Sequence, residues 1–206
     1  MKLYYTPDAC SLAALVVLEW TGAPYEAVRV ERSQWRSPEF LAVNPSGAVP
    51  AFEEDGWVLT QNAAILGYLA ERFPQAALHG DTPHARAETQ RWLAFVNSDV
   101  HPTFRPLLGA LRFLDAETDR AAVEKTQQAA RERLRGQFEI VDRRLDGRDW
   151  ITGRRSIADP YLFVVLRWAH RLELDLSGLA QLQRFFERMQ DDAGVQGALR
   201  AQGGGA

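Results

Sequence analysis

Apolar positions in the first third of the chain switch between the two-residue period of strands and the wider spacing of helices. A short strand is predicted at Lys2–Tyr5, and an apolar helix begins at Cys10–Ser11. Glycine and proline within Thr21–Pro24 end that helix. Alternating apolar residues over Glu26–Glu31 then predict a second strand.

The pattern that follows completes a small sheet. A weakly helical stretch is predicted over 32–42, followed by a turn at Asn44–Gly47. Two strands joined at a hairpin are predicted at Ala48–Phe52 and Trp57–Thr60, and a helix follows at Gln61–Arg72. The first of these strands contains Pro50. Because proline donates no backbone hydrogen bond, it predicts either an edge strand or a cis peptide bond. Together these elements predict a mixed sheet with helices on its faces.

Beyond a linker at Pro74–Pro83 the strand pattern disappears. Helices are predicted over Arg86–Leu111, Asp119–Leu145, Tyr161–Ala169, Leu179–Met189 and Val195–Leu199. Two prolines predict a bend near His101. Ser156 and Asp159 form a capping-box-like start, in which the serine caps the third amide and the acid reaches back. We expect an α/β domain over residues 1–78, an all-helical domain over 85–202 and a disordered Gly203–Gly205 tail.

Composition excludes several classes of function. The net charge of -3 gives no electrostatic footprint for nucleic acid. No apolar run is long enough to span a bilayer, and a single cysteine forms no internal disulfide. We therefore expect a cytoplasmic protein with no membrane or nucleic-acid partner and no metal site.

Cys10 is the only cysteine, and it falls where the first helix begins. Unpaired amides and the macrodipole at a helix N-terminus favour a thiolate, the nucleophilic form of the side chain. Free cysteine is also among the most buried residue types and often acts as a small hydrophobe. Both interpretations stay open from Cys10 alone.

Five spaced motifs carry a resemblance that covers almost the whole chain. They are Tyr5–Ser11 (YTPDACS), Asn44–Pro50 (NPSGAVP), Leu59–Ile65 (LTQNAAI), Trp92-Leu93 followed by His101, and Ser156–Phe163 (SIADPYLF). In this order they resemble the cytosolic glutathione S-transferases, and the Ala-Cys-Ser element resembles the bacterial beta class. The resemblance implies a thioredoxin-like N-terminal domain, an all-helical C-terminal domain and a homodimer.

The resemblance also implies a site that binds glutathione as co-substrate. The catalytic residues it implies are Cys10, Ser11 and His101, and the residues it implies for glutathione binding are Ala9, Val49, Pro50, Gln61, Asn62, Ser98 and Asp99. In that family a residue before a cis-proline holds the cysteinyl unit, and the pair that opens the third helix holds the γ-glutamyl unit. Ser98 and Asp99 match positions that reach glutathione across the dimer interface.

Some residues depart from the family pattern. Asn62 stands where serine or glycine is usual, Ala94 replaces a polar glutathione contact, and Pro102 replaces a residue that is often lysine. A lysine found in relatives after the second strand has no clear counterpart in Arg32–Arg36. These departures concern glutathione affinity rather than fold.

The activity implied is conjugation of glutathione to a small hydrophobic electrophile, with thiol–disulfide exchange through Cys10 beside it. Dehalogenase, peroxidase and isomerase activities share the scaffold and stay open. A non-catalytic ligand carrier or dimeric interaction module is the alternative from another class, since fold does not fix function. A dithiol oxidoreductase is excluded because Ala13 stands where Cys-x-x-Cys needs its second cysteine.

Overall fold

The computed structural model describes residues 1–109 and 119–203. Within them, four strands form one sheet: β1 (Lys2–Tyr5), β2 (Glu26–Arg29), β3 (Ala51–Glu54) and β4 (Trp57–Thr60). The strand order is β2-β1-β3-β4; β1 and β2 are parallel, and β3 is antiparallel to both β1 and β4. The predicted mixed sheet is confirmed.

The helices of this half are α1 (Leu12–Thr21), α2 (Pro38–Val43) and α3 (Asn62–Arg72), with a 3-10 turn at Arg32–Gln34. Helix α1 ends because Gly22 adopts a left-handed conformation, with φ of 68°, and its N–H donates to the Glu19 carbonyl. Helix α2 begins where the Ser37 hydroxyl accepts a hydrogen bond from the Phe40 N–H.

Helices make up the second half. They are α4 (Pro83–Ala94), a π-helical segment (Phe95–Val100), α5 (His101–Thr103), a 3-10 turn (Arg105–Leu108), α6 (Arg120–Arg144), α7 (Ala158–Arg171), α8 (Ala180–Asp191) and α9 (Ala193–Ala201). The regular α-helix gives way to the π-helical segment just before His101, so the helix predicted over Arg86–Leu111 is interrupted there. Leu111 and the tail glycines 204–205 lie outside the described residues. None of the described helices is both long and apolar enough to cross a membrane.

The structure corrects the placement of Pro50. The proline lies just before β3, and β3 is an inner strand between β1 and β4, so the edge-strand alternative is wrong. The Val49-Pro50 peptide bond is cis, so the other alternative is confirmed.

Helix α1 lies at the centre of the molecule. Every residue from Leu12 to Leu18 is buried, and the helix packs against α3 on one side and against α7 and α9 on the other. A helix that is apolar all round must be covered all round. The sheet half and the helical half therefore share one continuous core, which runs from Leu3 in β1 to Phe185 in α8.

The start of α7 is built around the buried carboxylate of Asp159. This group accepts hydrogen bonds from the Ser156 N–H and hydroxyl, both at 2.8 Å, and from the Ile151 N–H at 2.9 Å. The acid reaches back as predicted. The other half of the capping-box prediction is wrong, because the Ser156 hydroxyl donates to Asp159 and does not cap an amide.

Replacing Asp159 with alanine should lower the free energy of unfolding by about 3 kcal/mol, because two buried backbone N–H groups lose their acceptor. Equilibrium urea denaturation measures this change. The matched control is Asp146→Ala, which removes a carboxylate from an exposed position and should change the free energy by no more than about 0.5 kcal/mol. Equal losses in the two variants would contradict the role of Asp159.

The same carboxyl gives a pH dependence of known sign. Burial raises the pKa of Asp159 from 3.8 to about 6, although its hydrogen-bond donors lower it. The folded protein therefore binds a proton more tightly than the unfolded chain, and the unfolding free energy should fall as pH rises between these two values. The difference between wild type and Asp159→Asn, measured over that pH window, isolates this contribution.

Candidate functional site

A cavity of about 580 Å³ lies where the N-terminal end of α1 meets the helical half. The turn before α1, the loop before β3 and the start of α3 form one wall. The segment Asn97–Leu108 and helix α7 form the other. The structure brings most of the predicted site residues to this cavity: Ala9, Cys10, Val49, Pro50, Gln61, Asn62 and His101.

Cys10 is half-buried on the wall of the cavity. Its thiol donates a hydrogen bond to the Val49 carbonyl, with 3.7 Å between Sγ and O. Burial raises the pKa of the Cys10 thiol to about 12, although the amides of Cys10 and Ser11 lower it. In the unliganded protein the thiol is therefore favoured over the thiolate, because loss of solvent outweighs the helix N-terminus.

Ser11 is not brought to the cavity. Its side chain is fully buried on the opposite side of the turn, where the hydroxyl donates to the Thr6 carbonyl at 3.3 Å and accepts from the Thr6 N–H at 3.4 Å. The hydroxyl holds the turn between β1 and α1 in place. A direct catalytic contact by Ser11 does not fit this position.

The loop before β3 is fixed by Asn44. Its amide donates to the Ala48 carbonyl at 2.6 Å, and its carbonyl accepts from the N–H and hydroxyl of Ser46. The backbone of Val49 follows directly and borders the cavity. This loop therefore presents peptide groups in a fixed position to a ligand.

The start of α3 presents polar groups that lack protein partners. Gln61 has a φ of 72°, a strained value for a residue other than glycine, and its side chain is exposed at the cavity. Asn62 is 5% exposed, and neither its amide nitrogen nor its oxygen has a hydrogen-bond partner of normal geometry among the described residues. Its side chain is nevertheless close enough to the Tyr161 hydroxyl to lower the pKa of that group, which burial raises. Because buried polar groups are almost always paired, this side chain indicates a ligand. The free N–H groups of the helix start favour an anionic one.

His101 belongs to a polar cluster on the opposite wall. Its Nδ1 lies 2.6 Å from the Tyr161 hydroxyl, which donates to the Asn97 side-chain oxygen at 3.3 Å. The imidazole also packs edge-on against Trp168, with 4.8 Å between ring centroids. Burial, and then the nearby charge of Arg105, lower the pKa of His101 to about 4. The ring is therefore neutral near pH 7.

Tyr161 and Trp168 were missed by the sequence reasoning, which treated their helix only as core. Their spacing carried a signal, since residues seven apart lie on one face of a helix. Both reach the cavity wall, and the Trp168 indole donates to the Asp8 carbonyl at 2.9 Å. This bond joins α7 to the turn that holds Cys10.

Positive charge dominates the cavity wall. The arginines on it are Arg32, Arg36, Arg105 and Arg171, against one carboxylate, Asp8. Asp8 is 3.5 Å from both Arg167 and Arg171. Within the described ranges, no group of three or more His, Cys, Asp or Glu residues could hold a metal ion.

Ser98 and Asp99 do not line the cavity. Both are exposed on the π-helical segment. A contact with a ligand bound in this cavity is therefore not available to them within one chain.

Comparison with known proteins agrees with this geometry. Models of the glutathione S-transferase N-terminal and C-terminal domains match residues 1–71 and 89–191. Glutathione S-transferase GST-4.5 of Xanthomonas campestris is 49% identical over 98% of this chain and 99% of its own. Two solved structures, a sphingomonad enzyme complexed with glutathione and a beta-class enzyme from Sphingomonas chungbukensis, are each 35% identical, with a TM-score of 0.85 over 98% of this chain and 99% of theirs. The chain belongs to the glutathione S-transferase family.

Proposed function

We propose that this chain conjugates glutathione to small electrophiles as a cytoplasmic homodimer. The observation that carries the proposal is the unpaired, buried amide of Asn62 at the start of α3, facing a cavity of about 580 Å³. An unsatisfied buried amide costs about 1–3 kcal/mol, so its presence favours a site that a polar ligand completes. Family membership supplies the identity of that ligand.

The polar groups of the cavity match the parts of glutathione. The γ-glutamyl carboxylate would lie at the start of α3, against Gln61 and Asn62. The cysteinyl unit would bond to the Val49 backbone, which places its sulfur between Cys10 and His101. Arg32 and Arg36 would hold the glycine carboxylate, because guanidinium groups bind carboxylates bidentately. In this pose the two arginines would serve in place of the lysine that the sequence lacks.

The reaction needs a glutathione thiolate. The thiol gives its proton to solvent, the sulfur attacks the electrophilic carbon, a carbon–sulfur bond forms, and the leaving group departs with its electron pair. Backbone amides at the start of α1 would stabilise the anionic sulfur. The Tyr161 hydroxyl gives its one hydrogen to Asn97, so Nδ1–H of neutral His101 donates to that hydroxyl. Nε2 would therefore accept a hydrogen bond from the glutathione thiol or from the substrate.

Retention on immobilised glutathione, followed by a turnover assay with a chlorodinitrobenzene, tests the proposal. We expect both binding and conjugation. Binding without turnover would support the ligand-carrier alternative instead. Failure to bind or to turn over would reject the proposal.

We predict that Asn62→Leu raises the KM for glutathione about tenfold or more, because a hydrogen bond to a charged group is lost. The same variant should not be less stable than wild type, because the unliganded protein leaves this amide unpaired. Steady-state kinetics and urea denaturation measure the two effects. The contrasting control is Asn44→Leu, which breaks existing bonds and should lower stability. A lower stability for Asn62→Leu would show that the amide serves the fold.

We predict that Asp99 acts across a dimer interface, where it would pair with the ammonium group of glutathione. Light scattering should report a dimer, and a monomer would exclude this role. Asp99→Asn and Asn62→Leu should each weaken glutathione binding, measured by calorimetry. In a mixed dimer of the two variants, one site combines both defects and the other contains neither. Recovery of half the wild-type stoichiometry is expected, whereas two weak sites would place Asp99 in its own subunit's site.

We predict that Cys10 reacts slowly with oxidised glutathione. With a pKa of about 12, its thiolate is scarce at neutral pH and increases about tenfold for each pH unit up to that value. Adduct formation, followed by intact mass, should be slower than with free cysteine at pH 7 and faster with rising pH. Cys10→Ala should form no adduct. A faster reaction than free cysteine at pH 7 would restore thiol–disulfide exchange as a principal activity.

A further inference from the structure

We infer that the helical wall of the cavity selects electrophiles that carry a carboxylate on an apolar body, with Arg105 as the residue that binds the carboxylate. This inference rests on the proposed function and names the class of second substrate. The inference depends on three observations. The helical wall carries excess positive charge, it has apolar surface beside that charge, and the other arginines of the cavity lie on the opposite wall or pair with Asp8.

The guanidinium of Arg105 has no partner among residues 1–109 and 119–203. It lines the cavity from an exposed position and forms no hydrogen bond or ion pair with any described residue. The neighbouring Arg171 shares the carboxylate of Asp8 with Arg167, at 3.5 Å in both pairs. Two guanidinium groups on one carboxylate leave an excess of positive charge. The helical wall therefore offers an unneutralised cation to whatever binds beside it.

Apolar groups surround this charge. Pro102 and Leu108 lie on the same short segment as Arg105, and the indole of Trp168 lines the same wall from α7. Leu108 is 40% exposed, so its side chain is open to contact with a ligand in the cavity. A flat or unsaturated carbon body can pack on these side chains while its carboxylate reaches Arg105.

The carboxylates of glutathione have other partners. In the proposed pose, the start of α3 holds one and the pair Arg32 and Arg36 holds the other, all on the opposite wall. The chain as a whole carries a net charge of -3, so the local excess of arginine is not a reflection of composition. Arg105 is therefore left for the second substrate.

Arg105 also lies within electrostatic reach of His101 and Tyr161. Its charge contributes to the low pKa of His101 and lowers that of the Tyr161 hydroxyl, whose overall pKa burial raises. A carboxylate bound to Arg105 would thus place its carbon body beside the polar cluster on that wall. Positive charge in a cleft also raises the encounter rate of an anionic substrate.

The test compares two ring compounds that differ only in charge, a chlorodinitrobenzoate and its carboxamide. In both reactions the glutathione sulfur bonds to the chlorine-bearing carbon, chloride leaves, and the thiol proton goes to buffer. The quantity measured is the ratio of kcat/KM for the carboxylate to that for the carboxamide. Arg105→Gln should lower this ratio about tenfold, the size expected for a charge-assisted hydrogen bond.

Two further variants sharpen the result. Arg105→Lys keeps the charge and should recover a large part of the ratio. Arg133→Gln removes an arginine from an exposed position of α6 that lies away from the cavity, and it should leave the ratio unchanged. Added sodium chloride should lower the wild-type ratio by screening the charge. If the ratio in Arg105→Gln stays within about twofold of the wild-type ratio, the inference is overturned, because the loss of one charge-assisted hydrogen bond predicts a larger change. The proposed function stands in that case.

Calorimetry with the two preformed glutathione conjugates tests the inference without turnover. The carboxylate conjugate should bind more tightly than the carboxamide conjugate to the wild-type dimer, and Arg105→Gln should remove that preference. Equal affinities in the wild type overturn the inference. If the wild type conjugates neither compound but still prefers the anionic conjugate, the proposed catalysis fails and the anion subsite stands.

Discussion

The burial of α1 on all sides is the constraint on which the rest of the structure depends. Residues Leu12–Leu18 are apolar around the whole helix, so neither the sheet nor the helical half alone could cover them. The sheet side and α3 take one face, and α7 and α9 take the other. The two halves cannot separate without exposing this core. At the N-terminal end of α1, the elements of the sheet half and those of the helical half form opposite walls, and the cavity lies between them.

This position sets two effects against each other at Cys10. A helix N-terminus stabilises an adjacent anion by about 0.3–1 kcal/mol, and by up to about 2 kcal/mol in partly buried geometry. A rise in the thiol pKa from 9.0 to about 12 corresponds to about 4 kcal/mol against the thiolate. Burial therefore wins. A ligand sulfur reaching the same amides from the open cavity avoids part of that desolvation, which suits the bound glutathione better than Cys10 as the nucleophile.

Periodicity was sufficient for the helices and strands because each depends on spacing within a few residues. It could not give the directions of Cys10 and Ser11. Adjacent residues at a helix start point about 100° apart, so one faces the cavity and the other the core, and composition favours neither. The cluster of Asn97, His101 and Tyr161 joins Tyr161 to residues 60 and 64 positions earlier in the chain, and only the fold brings them together. For Pro50 the sequence left an edge strand and a cis peptide bond as alternatives, and the structure has the cis bond next to an inner strand. Residue spacing does not determine the isomer of a single peptide bond.

Helix α7 explains why the site depends on packing far from any ligand. The helix is buried along nearly its whole length, yet it supplies Tyr161 to His101, Trp168 to the Asp8 carbonyl and Arg171 to the Asp8 carboxylate. Each contact crosses from the core to the cavity wall. Because interiors are close-packed, a shift of α7 moves all three together. The carboxylate network under its first turn therefore fixes the geometry of the site as well as the stability of the fold.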